Sequence, residues 1–347
     1  MKTKIQDMTS GSPGRLIILF AIPLMLGNIC QQLYTMVDTM VVGQVAGVEA
    51  LAALGAVDFL MWVVTGISTG LTQGFSIQLS QYYGAKDFEN LRKSLAHSYR
   101  LTAFIAAGVL ILSQSFASLV LTGLHTPSNI IGMSLLYLRI IFCGIPATAA
   151  YNMFASALRA MGNSKTPLTA MIIASVLNVS LDILFVAGFG WGVAGAAIAT
   201  VIAQSFSAVY CFLILRRIDI VHLTRADFMP ASGMNARLMK LGIPVVFQNI
   251  IIGVGGLVVQ YVINGYGFLF VAGFTATNKL YGLLEMAAIS YGYAIVTYVG
   301  QNLGAGKIDR IRKGVRSSML LSLLTSLIIS AAMFLFGKKY SLTFHLR

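Results

Sequence analysis

Residues 81–93 read QYYGAKDFENLRK, and residues 301–313 read QNLGAGKIDRIRK. Gln81, Gly84, Ala85, Arg92 and Lys93 return as Gln301, Gly304, Ala305, Arg312 and Lys313, each 220 positions later. A second pair of stretches keeps almost the same step. Ile22-Pro23 and Asn28 return as Ile243-Pro244 and Asn249, 221 positions on. Each copy has the same order: an apolar run with a proline near its start, a second apolar run, then a short basic loop. A constant offset over matched apolar runs and matched basic loops marks an internal duplication.

The apolar runs set the fold class. Hydrophobic residues make up 57% of the chain and charged residues 10%, where a soluble domain carries roughly a quarter charged. Mean hydropathy is +0.81, so the apolar excess is spread over the whole chain. A membrane helix needs about 20 mostly apolar residues. Nine stretches qualify, roughly 15–42, 50–80, 97–123, 130–158, 167–189, 192–216, 238–264, 270–301 and 315–337. Gly-rich connections at 43–47, 188–192 and 265–267 fit tight hairpins. The chain therefore reads as an all-α, polytopic membrane protein of about nine transmembrane helices. Six spans separate the two copies, an even number, so both copies enter from the same side. That is a parallel repeat about an axis along the membrane normal. Residues 1–220 form a complete six-helix lobe. Residues 221–347 hold three helices of an expected six, so the chain reads as cut short at its C-terminal end.

The net charge of +13 follows the same plan. Of 24 basic residues, 19 fall in the N-terminal segment and the even-numbered loops, and the odd-numbered loops between spans hold none. Lys338 and Lys339 alone lie against this alternation. The positive-inside rule then puts the N-terminus in the cytoplasm and the protein in the plasma (inner) membrane. Loops so placed do not suggest nucleic acid as a partner, and aromatic-basic stacking platforms are lacking. Cys30, Cys143 and Cys211 each sit alone in apolar sequence, so neither a disulfide framework nor a metal site is expected. The polar N-terminus precedes a full-length span and not the short apolar core of a signal peptide.

Ionisable groups inside spans are costly, and each is by default a functional candidate. Asn28, Gln31, Thr35 and Asp38 follow helical spacing and make a polar stripe on the first span. Ser175, Asn178 and Asp182 make another on the fifth. If Asp38 and Asp182 meet, burial and like charge together would let one of them take up a proton. The competing reading of each stripe is a hydrogen-bonded helix-packing cluster. Glu285, with Tyr281 and Lys279 nearby, is a possible cation site in the second lobe or a structural partner of Lys279. Asp58 and Arg139 read as interfacial. Pro23 and Pro244, at equivalent repeat positions, suggest paired helix bends. Gly66, Gly70 and Gly74 give consecutive GxxxG spacings, a close-packing face. No P-loop, GxGxxG, GxSxG or HExxH occurs, so an enzyme and an ATP-driven pump are not expected.

These parts resemble the multidrug and toxic compound extrusion (MATE) family, prokaryotic branch. The likeness rests on Ile22-Pro23, Val37-Asp38-Thr39 with Val42-Gly43, Ala52-Ala53-Leu54-Gly55, residues 157–167 (ALRAMGNSKTP), residues 192–200 (GVAGAAIAT) and residues 299–306 (VGQNLGAG). It covers essentially the whole chain to about residue 337. The resemblance implies two six-helix lobes and export of cationic or amphipathic compounds against H⁺ or Na⁺, with no cofactor beyond that ion. It implies that Asp38, Asn178, Asp182 and Thr200 form the polar cluster of the N-terminal lobe, with Tyr137 beside it. Pro23 would be where the first helix bends. The expected partners are membrane lipid and small substrates, and a monomer is expected. Ranked below this reading are an inactive truncated fragment and a lipid-linked oligosaccharide flippase of related architecture. The flippase would want more in-span Arg and Lys than Arg139 and Lys279.

Overall fold

The computed structural model describes residues 5–123, 126, 128–264 and 268–341. Within these helices the side chains of residues 48, 59, 257, 260, 261, 263, 264, 268–281, 283–285, 287 and 332–341 lie outside the description. Ten α-helices run in chain order: α1 (Pro13–Val45), α2 (Val48–Gly84), α3 (Phe88–Gly123), α4 (Ile131–Cys143), α5 (Ile145–Ala160), α6 (Lys165–Asp182), α7 (Gly192–Leu215), α8 (Met234–Asn264), α9 (Phe268–Gly304) and α10 (Ile308–Ser341). Among the described residues there is no strand. Among the described residues, six helices are long and apolar enough to cross a membrane, and two bent pairs bring this to as many as eight. The expected stretch outside these, 270–301, falls in α9, most of whose first half lies outside the described side chains.

Besides α2, bent by 41°, two spans depart from straight helices, and for the first of them the sequence supplies the cause. The expected span 130–158 is two helices, α4 and α5, bent by 46°. Pro146 has no N–H to give the Phe142 carbonyl, so the α ladder stops and restarts with proline in its first turn. Gly144 turns the corner, its N–H bonded to the Ile141 carbonyl at 2.9 Å. The fifth span runs through α6 and then widens into a π-helical segment, Ile183–Gly188, which starts directly after Asp182. Such wide turns often sit at functional positions. Here the widening sets Phe185 against Trp191, with ring centroids 5.1 Å apart. Pro23 and Pro244, by contrast, lie inside continuous helices.

Burial divides into three cores. One joins α2, α3, α4, α5 and α7 around Leu54, Leu121, Tyr137, Phe142 and Ala196. A second joins α2, α3, α5, α7 and the start of α8 around Phe75, Leu95, Met153 and Leu238. The third lies between the two repeat copies: Ile17, Phe20, Ala21 and Leu24 of α1 meet Tyr291, Ala294 and Tyr298 of α9.

The contacts between copies are reciprocal, as a two-fold relation requires. α1 packs on α9, and its counterpart α8 packs on α2. A side chain at Gly84 would strike the Gln301 carbonyl, and one at Gly304 would strike the Gln81 carbonyl. These are the same contact seen from each copy. Asn28 Nδ2 donates to Ser290 Oγ at 3.1 Å. At the equivalent place, Asn249 Nδ2 donates to the Gly66 carbonyl at 3.1 Å and lies 3.1 Å from where a Gly70 Cβ would stand. The glycines of the GxxxG series thus do what their spacing predicts, letting α8 approach α2.

Candidate ion and substrate site

Asp38, Asn178 and Asp182 come together inside the first repeat copy, at 5%, 0% and 0% exposure. α1 and α6 pack against each other. Asp182 lies within electrostatic range of Asp38. Asn178 sits one turn before Asp182 on the same face of α6, and its Nδ2 reaches Thr200 Oγ1 of α7 at 3.4 Å. Tyr137 of α4 is buried within electrostatic range of both carboxylates. Five residues from four helices therefore converge.

The chemistry of this cluster is one-sided. Asp38 Oδ1, Asn178 Oδ1 and both carboxylate oxygens of Asp182 are buried and receive no hydrogen bond within the protein. Ionised carboxylates only accept. A buried charge without a partner costs several kcal/mol or more. Such a cluster is suited to holding a small cation or protons. Among the described residues there is no group of three or more His, Cys, Asp or Glu side chains that would hold a resident metal.

The structure parts the stripe that the first span carries. Asp38 enters the cluster directly, and Gln31 borders it through a side-chain hydrogen bond with Tyr34. Gln31 and Thr35 are exposed, and the Thr35 hydroxyl is spent on the Gln31 carbonyl at 3.0 Å. Asn28 instead bonds Ser290 across the seam between the copies. Tyr34, one turn before Asp38, lies on the same side of α1. Tyr34 accepts a hydrogen bond from Gln204 Nε2 of α7 at 3.3 Å, and Gln204 Oε1 is a further buried, unpartnered acceptor. Tyr34 and Gln204 are thus part of the site and absent from the sequence reading. Their signal was available: Tyr34 precedes Asp38 by four, and Gln204 follows Thr200 by four. Asp58 and Arg139 are exposed. Glu285 lies outside the described side chains, and the second-lobe cation site proposed on it is not addressed.

Known proteins can now be set beside this arrangement. The MatE family profile matches residues 23–184 and 244–346, most of the chain. The chain belongs to the MatE family. A MatE relative, the probable multidrug resistance protein YpnP of Bacillus subtilis (strain 168), is 32% identical over 308 residues, spanning 89% of this chain and 69% of that protein. The probable multidrug resistance protein NorM of Thermotoga maritima is 26% identical over 327 residues, 92% of this chain and 70% of that protein. Two solved structures share the fold. A MOP superfamily transporter from Pyrococcus furiosus, described as having a binding pocket of reverse polarity, aligns with a TM-score of 0.93 at 22% identity, covering 100% of this chain and 77% of its own. An outward-facing MATE family multidrug resistance transporter aligns with a TM-score of 0.92 at 23% identity, covering 100% and 77%. This MatE chain is therefore an all-helical, multi-pass membrane transporter.

Proposed function

We propose that this protein is a secondary multidrug exporter that moves cationic or amphipathic compounds out of the cell in exchange for H⁺ or Na⁺. The ion is taken up at Asp38 and Asp182, with Asn178 and Thr200 as neutral oxygen donors and Tyr137 walling the site. The observation that carries this reading is the acceptor-only cluster in the first repeat copy. Relatives that bear the words multidrug resistance and multidrug export support the cargo class. The N-terminus is cytoplasmic, and the two lobes, 1–220 and 221–347, rock about the seam between α1 and α9. Neutralising the carboxylates removes the like-charge repulsion between α1 and α6 and lets α1 settle differently against α6. Pro23 lies within the stretch of α1 that forms the seam core, ahead of Asp38, and offers a place for α1 to yield, since the carbonyl one turn before a proline has no N–H partner. Pro244 offers the same in α8.

The test uses the purified full chain in proteoliposomes with an imposed pH or Na⁺ gradient and a fluorescent lipophilic cation. Gradient-dependent transport is expected in the wild type, with a loss of at least tenfold in Asp38→Asn and in Asp182→Asn. Robust coupled transport by Asp38→Asn would remove that carboxylate from the mechanism. A thermal shift on adding Na⁺ or on acidification, lost in Asp182→Asn, would identify the ion by linkage.

A further inference from the structure

The face that carries the basic loops is closed by chain that the ion site does not use. Residues 6–11 lie ahead of α1 and bond to both repeat copies. On one side the Gln6 N–H donates to the Gly162 carbonyl at 3.1 Å. On the other, the Met8 N–H donates to Gln301 Oε1 at 3.1 Å, and Asn302 Nδ2 donates to the Met8 carbonyl at 2.9 Å. Lys307 Nζ reaches the Thr9 carbonyl and Arg310 Nη1 the Gly11 carbonyl, both at 2.9 Å.

Gln301 and Asn302 are fully buried. Gln301 Nε2 donates to the Ala160 carbonyl at 2.8 Å, so one side chain ties α9 to the end of α5 and to the N-terminal segment. Asn302 Oδ1 accepts from Arg310 Nε at 2.9 Å. Both amides are thus satisfied at both ends. Breaking one such bond alone leaves a buried polar group unpaired, which makes the arrangement cooperative. The Met8 side chain, fully buried, plugs the seam core beside Phe20 and Tyr298.

The second copy has a matching arm. Met229 stands 221 positions after Met8. Its carbonyl lies 3.1 Å from His97 Nε2 of α3, the Phe228 carbonyl accepts from Arg100 at 2.9 Å, and Asn235 Oδ1 at the start of α8 lies 2.7 Å from His97 Nδ1. The segment ahead of each copy's first helix is therefore docked by hydrogen bonds on the basic face.

Beyond Leu26 the seam is different. Leu26, Leu33 and Met40 share one face of α1 and are exposed, and Gln31 and Thr35, on the opposite face, are exposed as well. Among the described residues, α1 is thus uncovered on two opposite faces beyond Leu26, where along the seam core it is packed.

We propose that Gln301 and Asn302 are positioning residues of a clamp, built with residues 6–11, that holds the basic face shut and must release in each transport cycle. This rests on the alternating-access reading above. The contact that has to part for the opposite state to form is the α1–α9 seam, and the clamp sits across its end.

Ala294, fully buried in that seam, reports the state when changed to cysteine in a chain whose Cys30, Cys143 and Cys211 are alanine. Labelling by a membrane-impermeant maleimide is followed in inside-out and right-side-out vesicles, without cargo. In the parent, labelling from the basic face is slow. Gln301→Met, which keeps length and loses both hydrogen bonds, is expected to raise that rate at least tenfold from the basic face only. Lys307→Ala, which removes only the bond to the Thr9 carbonyl and leaves both buried amides satisfied, is expected to raise it less and in the same direction. Unchanged rates in both variants, or an equal rise from both faces, would overturn the clamp. Because the readout needs no cargo, absent efflux with the expected labelling would sink the exporter reading alone.

Discussion

Alanine placed in turn at Gly66, Gly70 and Gly74 should produce a graded loss of stability, because the three positions meet α8 at shrinking distances. A Cβ at Gly66 would stand 3.5 Å from the Asn249 Cβ, an ordinary contact. At Gly70 it would stand 2.9 Å from both Val246 N and Cα, and at Gly74 it would stand 2.6 Å from the Leu241 carbonyl oxygen, with the Gly242 backbone nearer still. Backbone cannot rotate aside as a side chain can. To restore about 3.5 Å, α2 and α8 must part by roughly 0.6 Å for Gly70→Ala and by more than roughly 0.9 Å for Gly74→Ala. A gap of about 0.5–1 Å forfeits a quarter to a half of the dispersion well for each pair along the seam. That seam is long, running from Gly253 against Trp62 to Met234 against Gln78. Against this, Gly→Ala in a helix gains about 0.5–1 kcal/mol. The balance is a neutral or slightly stabilising Gly66→Ala, a loss of about 1–2 kcal/mol for Gly70→Ala, and a loss of about 3 kcal/mol or more for Gly74→Ala. The assay is the thermal midpoint of the detergent-purified protein followed by size-exclusion fluorescence. Equal midpoints for Gly66→Ala and Gly74→Ala, or the reverse order, would refute the packing argument.

Three further outcomes are expected. Asp182→Asn removes a buried charge without changing shape, so in buffer free of Na⁺ at neutral pH its thermal midpoint should equal or exceed that of the parent; a fall of several degrees would mean that the carboxylate is already neutralised inside the protein. Gly162 has φ +90°, and the Gln6 carbonyl occupies the space a Cβ would need. Gly162→Ala should therefore cost on the order of 1–2 kcal/mol locally and hasten proteolytic cleavage within residues 5–12, with the helical bundle intact. At Asp7, burial pushes the carboxyl up, but the Thr9 N–H, the Thr9 and Ser10 hydroxyls and the Lys307 charge outweigh it and hold the group below its ordinary range. Its contribution is thus fully present above that range and is lost as pH falls through the lower folded value. Hydrogen exchange at the Thr9 amide should quicken on acidification in the parent and show no such step in Asp7→Asn.

The sequence by itself determined the class of molecule, because the requirement that membrane-spanning backbone satisfy its own hydrogen bonds leaves long apolar runs only one common form. It also determined the repeat, since a duplication is a relation between residues along the chain. Gln81/Gln301 and Pro23/Pro244 are visible without coordinates, and so is the close-packing face of Gly66, Gly70 and Gly74. Asp38 and Asp182 were legible for the same reason that made them costly: a carboxylate in an apolar run needs an explanation. What the sequence left open is which groups face which. Helical spacing put Gln31, Thr35 and Asp38 on one stripe, but a stripe about 100° wide borders two neighbours at once. Packing on α6 and α7 took Asp38 inward and left Gln31 and Thr35 exposed, Gln31 touching the site only through Tyr34. Gln204 became a site residue only because α7 lies beside α1, 170 positions away in the chain. The clamp on the basic face is wholly tertiary. A six-residue polar segment carries no periodicity, and its partners Gln301 and Asn302 lie 293 and 294 positions from Met8. Pairings over such distances are set by the three-dimensional packing of helices, which local sequence does not encode.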